Sequence, residues 1–184
     1  MINLVAIQDR FIQIYKSNIH RKGSDELLAY LQTSSFLCDP ASSKYHLAEE
    51  GGLVLHSVNV WKRLHWLCNA EATYSDYSVD DESIAIVGLL HDLCKVGTYI
   101  YDYTGDKLKF SKNDTFPFGH GEKSVYIINK FMTLTEEEAM AIRYHMGSWN
   151  EWEKSDASAV FKKYPLALLA HMADEFATFV DEEK

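Results

Sequence analysis

Residues 84–97 of the chain read IAIVGLLHDLCKVG. A near-continuous apolar run, Ile84 to Leu90, meets the pair His91 and Asp92, and Gly97 closes the segment. Asp80 and Asp81 stand just before it, where carboxylates suit the positive end of a helix dipole. The spacing therefore predicts a helix that begins after these aspartates and ends near Gly97. Neighbouring positions on a helix diverge by about 100°, so His91 and Asp92 can serve one centre only at an inward-tilted helix end. The apolar run is far shorter than the roughly 20 residues that cross a bilayer.

Downstream the pattern changes. TYIYDY, a TGD turn and KLKF predict a β-hairpin over residues 99–110. Helical spacing resumes over 119–131, and Thr135 with Glu138 has the form of a capping box for a helix ending near Gly147. Ser155 is placed to cap a further turn or two, and Pro165 suits the first turn of a last helix through Val180. Upstream, 53–69 reads as a long helix, and 36–52 as a loop punctuated by CDPASS and EEGG. Leu4, Ile7, Phe11, Ile14, Tyr15 and Ile19 recur at helical spacing, and Ser24 caps a short helix through Leu31. Pro40, Pro117 and Pro165 each mark a break. No repeat, low-complexity tract or linker interrupts the chain. The expectation is one all-α domain over residues 1–184 with roughly seven helices and a small hairpin, residues 1–35 packing as N-terminal helices on a core of 36–180.

Composition narrows the function. The chain has 184 residues, 47% hydrophobic and 24% charged, which suits a single folded domain. Cys38, Cys68 and Cys94 are odd in number and form no CxxC pair, which argues against a disulfide framework and a thiolate zinc site. The first residues, MINLVAIQDR, reach Asp9 and Arg10 without a basic start or a long apolar run, so no signal peptide and a cytoplasmic location are expected. The formal net charge of −9 is the wrong balance for gripping long duplex nucleic acid. A small anionic substrate remains compatible with it, because bound metals reverse the sign locally.

Six residues carry the chemistry: His56, His91, Asp92, His120, His145 and Asp174. Imidazole and carboxylate are the ligands of iron, manganese, zinc or nickel at hydrolytic sites. A single histidine on an apolar helix face is more often a core residue than a ligand. Four of the chain's eight histidines and two aspartates on apolar faces are harder to explain that way. Burying so much polarity costs several kcal/mol per charged group, by order of magnitude, unless it is paired or metal-bound.

The order His56, His91–Asp92, His120, His145, Asp174 resembles the H…HD…H…H…D pattern of binuclear members of the HD-domain superfamily. The surrounding words match too: GGLVLHSVNV, LLHDLCK, GHGEKS, RYHMG and LLAHMADEFAT. The segment DPASSKYHLAEEGGLVLHS is most similar to the catalytic domain of bacterial HD-type 3′-to-5′ exoribonucleases, although the chain has no room for their OB-fold module. The resemblance covers about residues 36–180 and implies an HD-domain helical bundle. It implies that His56, His91, Asp92 and Asp174 bind one divalent ion and that Asp92, His120 and His145 bind a second, with Asp92 bridging. Manganese, iron, magnesium, nickel and zinc all fit such a set.

Lys95 matches the lysine of the HDxxK form, and an ammonium there can offset charge developing on a metal-held phosphate. Asp92 and Lys95 are thus the candidate catalytic residues, and Lys44, His46 and Lys95 the candidate substrate contacts. His171, three residues before Asp174, suits a structural role beside the ligands. Trp149 and Trp152 can stack a base or pack a lid, and Cys94 fills space. His20 and His65 fit no pattern. The function implied is hydrolysis of a phosphoester of a nucleotide or short oligonucleotide by a hydroxide between the ions, without a membrane or a long duplex as partner. The absence of GYP after His145, and of Glu-Asp after the HD pair, disfavours cyclic-di-GMP and guanosine tetraphosphate as substrates. A di-iron oxygenase on the same scaffold and a non-catalytic regulatory module are the alternatives. The hairpin following Lys95 and the loop after His145 are expected to wall the site from opposite sides.

Overall fold

The computed structural model describes residues 2–104, 108–148 and 151–182, with backbone alone for 151–154. In chain order the elements are α1 (Leu4–Asn18), α2 (Ser24–Thr33), α3 (Gly52–Glu71), α4 (Asp81–Leu90), a 3-10 turn (Leu93–Lys95), β1 (Tyr99–Asp102) and β2 (Lys109–Lys112). They continue with α5 (His120–Ile128), α6 (Glu136–Arg143), α7 (Glu151–Lys163), α8 (Pro165–Phe176) and a π-helical turn (Ala177–Asp181). The expected all-helical architecture with one small hairpin is what the chain adopts, with eight α-helices among the described residues.

The core forms around α4, because its sequence is apolar on every side. Residues 83–90 are all buried, the state expected of a helix with no polar face. It lies against α3, which buries Leu53, Val54, Val58, Val60, Leu64 and Leu67. Gly88 permits the approach: a Cβ there would stand 2.6 Å from the Trp61 Cα. On the remaining sides α1 contributes Phe11, Ile14 and Tyr15 against α3 and α4, while α8 packs against α3 and α6.

Polar side chains hold the ends. Asp80 caps α4 by accepting from the Ser83 N–H, and Thr135 and Glu138 close the capping box of α6. Glu138 does more than its local motif requires. Its fully buried carboxylate takes two bonds from Arg21, at 2.6 and 2.8 Å, and one from the Ser83 hydroxyl at 2.7 Å. The segment between α1 and α2 is thereby fastened to α4 and α6.

Several element ends differ from the sequence reading. α4 stops at Leu90, not near Gly97: Asp92 leaves the helix at φ −99°, ψ 17°, and a 3-10 turn carries the chain to Lys95. The helix read as ending near Gly147 ends at Arg143, and Gly147 (φ 71°) reverses the chain in the left-handed region. Ser155 lies inside α7 and does not start it. The last α-helix ends at Phe176, and Val180 belongs to the π-helical turn. The hairpin pairs Tyr99 with Lys112 and Asp102 with Lys109; its TGD turn at Gly105 and Asp106 lies outside the described residues.

Candidate metal centre

Six elements deliver the six residues to one place. His56 comes from the second turn of α3, His91 from the residue that ends α4, and Asp92 from the residue that opens the 3-10 turn. His120 is the first residue of α5, His145 follows α6, and Asp174 lies near the end of α8. Asp92 is the hub. Its Oδ1 is 2.8 Å from His120 Nε2 and 3.5 Å from His145 Nε2, and its Oδ2 is 3.6 Å from the Nε2 atoms of both His56 and His91. Asp174 Oδ1 lies 3.1 Å from His56 Nε2. All but His120 are buried. The break after Leu90 is what turns adjacent residues 91 and 92 toward one centre.

The imidazoles share one orientation. His91 Nδ1 donates to the Gly88 carbonyl at 3.0 Å, and His145 Nδ1 donates to the Ile142 carbonyl at 2.7 Å. His56 Nδ1 faces the Glu182 carboxylate at 3.1 Å, and His120 Nδ1 faces Cys94 Sγ at 3.2 Å. A carbonyl only accepts, so Nδ1 of His91 and of His145 carries a proton and Nε2 presents a lone pair. The result is a crowd of acceptors: the Nε2 atoms of His56 and His91 are 3.3 Å apart beside two carboxylates. His145 Nε2 is buried with no hydrogen-bond partner. Such an arrangement needs positive charge between its members. Ligand atoms of His56, His91 and Asp92, and separately of Asp92, Cys94 and His120, lie within 4.8 Å of one another, close enough to hold a divalent ion. The donor set therefore fits a hard or borderline cation.

The electrostatics agree. Burial alone would lower the pKa of His56, but Asp174 and Glu182 outweigh it and lift the ring to about 10. Burial pushes His91 down to about 3, leaving its nitrogen available as a ligand. Burial opposes the charge on Asp92, yet Lys95 and the surrounding histidines hold its carboxyl well below the usual range.

Lys95 Nζ lies 2.5 Å from Asp92 Oδ2, three residues away on the 3-10 turn. Together with His56, Asp92, His120 and Asp174 it faces a cavity of about 410 Å3, whose outer wall includes Tyr45, His46, Met146 and Phe179. His46 is therefore at the cavity, its Nε2 4.0 Å from Glu182. Lys44 is exposed and faces an adjoining surface depression with Glu49 and Glu182, which none of the six residues lines. The hairpin does not line this cavity among the described residues. Tyr101 donates to Asp39 at 2.7 Å and Tyr99 to the Ala41 carbonyl at 3.3 Å, which holds the strands against the loop before α3. His171 Nδ1 donates to the His145 carbonyl at 2.7 Å and its ring stacks on Phe161, a supporting position. Trp149 and the side chain of Trp152 lie outside the described residues.

Two participants escaped the sequence reading: Glu182 backs His56, and Asp39 ties Ser35, Gly97 and Tyr101 together beside the site. Cys94, read from the sequence as filling space, backs His120. Glu182 follows Asp174 by eight positions with no signal to mark it, whereas the CDP at residues 38–40 offered one in a polar residue at a loop's start.

Fold and site together define an all-helical protein with a buried histidine–aspartate centre suited to divalent metal. The chain belongs to the HD-domain family: the family's model, HD domain, matches residues 53–178. Proteins of this family bind divalent metals and are mostly metal-dependent hydrolases. Comparison with curated proteins and with solved structures gave no match. Among the described residues no helix is long and apolar enough to cross a membrane.

Proposed function

We propose that the protein hydrolyses a phosphate ester or diester of a nucleotide or short oligonucleotide, using two divalent ions. His56, His91, Asp92 and Asp174 would hold one ion, and Asp92, His120 and His145 the other, with one Asp92 oxygen directed to each. The observation that carries the reading is the division of labour at Asp92: Oδ2 faces His56 and His91 while Oδ1 faces His120 and His145. The ions would supply a water of lowered pKa and a clamp for the phosphate oxygens. The chain supplies the rest. Asp92 fixes the separation of the two ligand groups, and Lys95, at the cavity wall, offsets charge on the phosphate's free oxygens. Tyr45, Met146 and Phe179 form an apolar outer wall for a base or sugar. The wording of residues 39–57 favours a substrate like that of the exoribonuclease catalytic domains, reduced to short strands.

The test is an assay of nucleotides, dinucleotides, longer single strands and duplexes with added manganese, with and without oxygen. Hydrolysis of the short substrates is expected in both atmospheres. Turnover that stops without oxygen and yields an oxidised product would establish the oxygenase reading instead. Absence of turnover with all divalent ions would leave the regulatory one.

A further inference from the structure

A second, smaller pocket of about 110 Å3 adjoins the main cavity, and Lys95 and His120 line both spaces. Its other walls bring Lys112 from β2, Lys123 from α5, Asp114 and Phe118. Three lysines thus surround one small space against a single lining carboxylate, in a chain whose formal net charge is −9. Lys123 is the informative member. Its side chain is only 6% exposed, an unusual place for an ammonium group. Its Nζ donates to Asp114 at 2.8 Å and lies 5.9 Å from the Phe116 ring centroid. A lysine has three N–H donors, and Lys123, which lines the pocket, makes one hydrogen bond through its ammonium among the described residues, to Asp114. Lys112 is exposed, and no ion pair within 4.0 Å is formed by it among the described residues. Buried or half-enclosed cations with unused donors in a concave, aromatic-walled space are the features of a site for a small polyanion.

We propose that this pocket binds a second, non-reacting phosphate of the substrate, next to the one held at the metal centre. The inference rests on the phosphohydrolase reading above and names its substrate class: a molecule with two neighbouring phosphates. A nucleoside diphosphate and a dinucleotide with a terminal phosphate share that chemistry. The hairpin acquires a function in consequence. It supplies Lys112 to the phosphate pocket and does not cover the metals.

Two measurements test the proposal on wild-type protein and on Lys112→Ala, a change at an exposed strand end. The first compares KM for each two-phosphate substrate with KM for its counterpart lacking the second phosphate. Loss of one charged contact is expected to raise KM about tenfold for the two-phosphate member and leave the other unchanged. The pair that shows this difference, diphosphate or dinucleotide, identifies the source. Equal change in both members, or none in either, overturns the proposal. The second is an amide NMR titration with inorganic phosphate before and after chelation of metals. Binding that survives chelation and is lost in Lys112→Ala supports the pocket even where no substrate is turned over, so failure of the activity reading is separable. Phosphate binding that vanishes with the metals, or is unchanged by the substitution, rejects it.

Discussion

The Nδ1 atom of His56 lies 3.1 Å from the carboxylate of Glu182, across 126 positions of sequence, and this contact leaves Nε2 of the ring pointing at Asp174 and Asp92. Glu182 is itself held by Asn59 Nδ2 at 3.0 Å, one turn along α3 from His56, and the preceding Asp181 is gripped by Arg63 at 2.8 Å. The turn after α8 is thus latched to α3, and the latch sets the orientation of the His56 ring.

Glu182→Ala is therefore expected to weaken metal affinity about 10- to 100-fold, the usual effect of removing the partner behind a ligating imidazole. Glu182→Gln keeps an acceptor without the charge and should fall between. Metal titration of the folded variants checks this, with circular dichroism as the control. Wild-type affinity in Glu182→Ala would remove Glu182 from the centre.

On the two-ion reading proposed above, Asp92→Ala should abolish activity and strip metal from both ligand groups, because each would use one of its oxygens. His120→Ala should empty mainly the group it shares with His145. Elemental analysis of the two folded proteins distinguishes them. Equal loss in both would dissolve the division into two sites.

Gly88→Ala places a methyl 2.6 Å from the Trp61 Cα, where no side-chain rotation relieves it. The α3–α4 contact must open, at a cost of about 1–3 kcal/mol. His56 and His91 ride on those helices, so metal content should drop along with Tm. An unchanged Tm with full metal occupancy would contradict the close packing.

Glu138→Gln should lower stability at neutral pH by roughly 1–3 kcal/mol, since the charge-assisted bonds from Arg21 weaken. Burial alone would raise the Glu138 pKa, but bonds from Arg21, Thr135 and Ser83 hold it below the ordinary 4.5. A depressed folded-state pKa contributes stability that is complete above the unfolded value and is lost as pH falls through the folded one. Urea unfolding across pH should show wild type and Glu138→Gln converging below about 4.5. A gap that widens on acidification would refute the assignment.

The sequence by itself determined the helical architecture and the residue types gathered in each motif. Local signals sufficed where the physics is local: the apolar run of α4, the Thr135–Glu138 box, and the turn chemistry around residues 38–52. It also displayed His56, His91, Asp92, His120, His145 and Asp174 as a set, because polar side chains on apolar faces are conspicuous. Tertiary structure alone decided the remainder. Where α4 ends depends on the gain from turning both His91 and Asp92 inward, which no local propensity encodes. Glu182, Cys94 and Lys112 acquire their roles from neighbours 26 or more positions away in two of the three cases, His56 and His120. Lys112 does so through a pocket shared with α5 and the 3-10 turn. A charge distant in sequence acts through space once packing removes the intervening water, and only the folded chain fixes which charges those are.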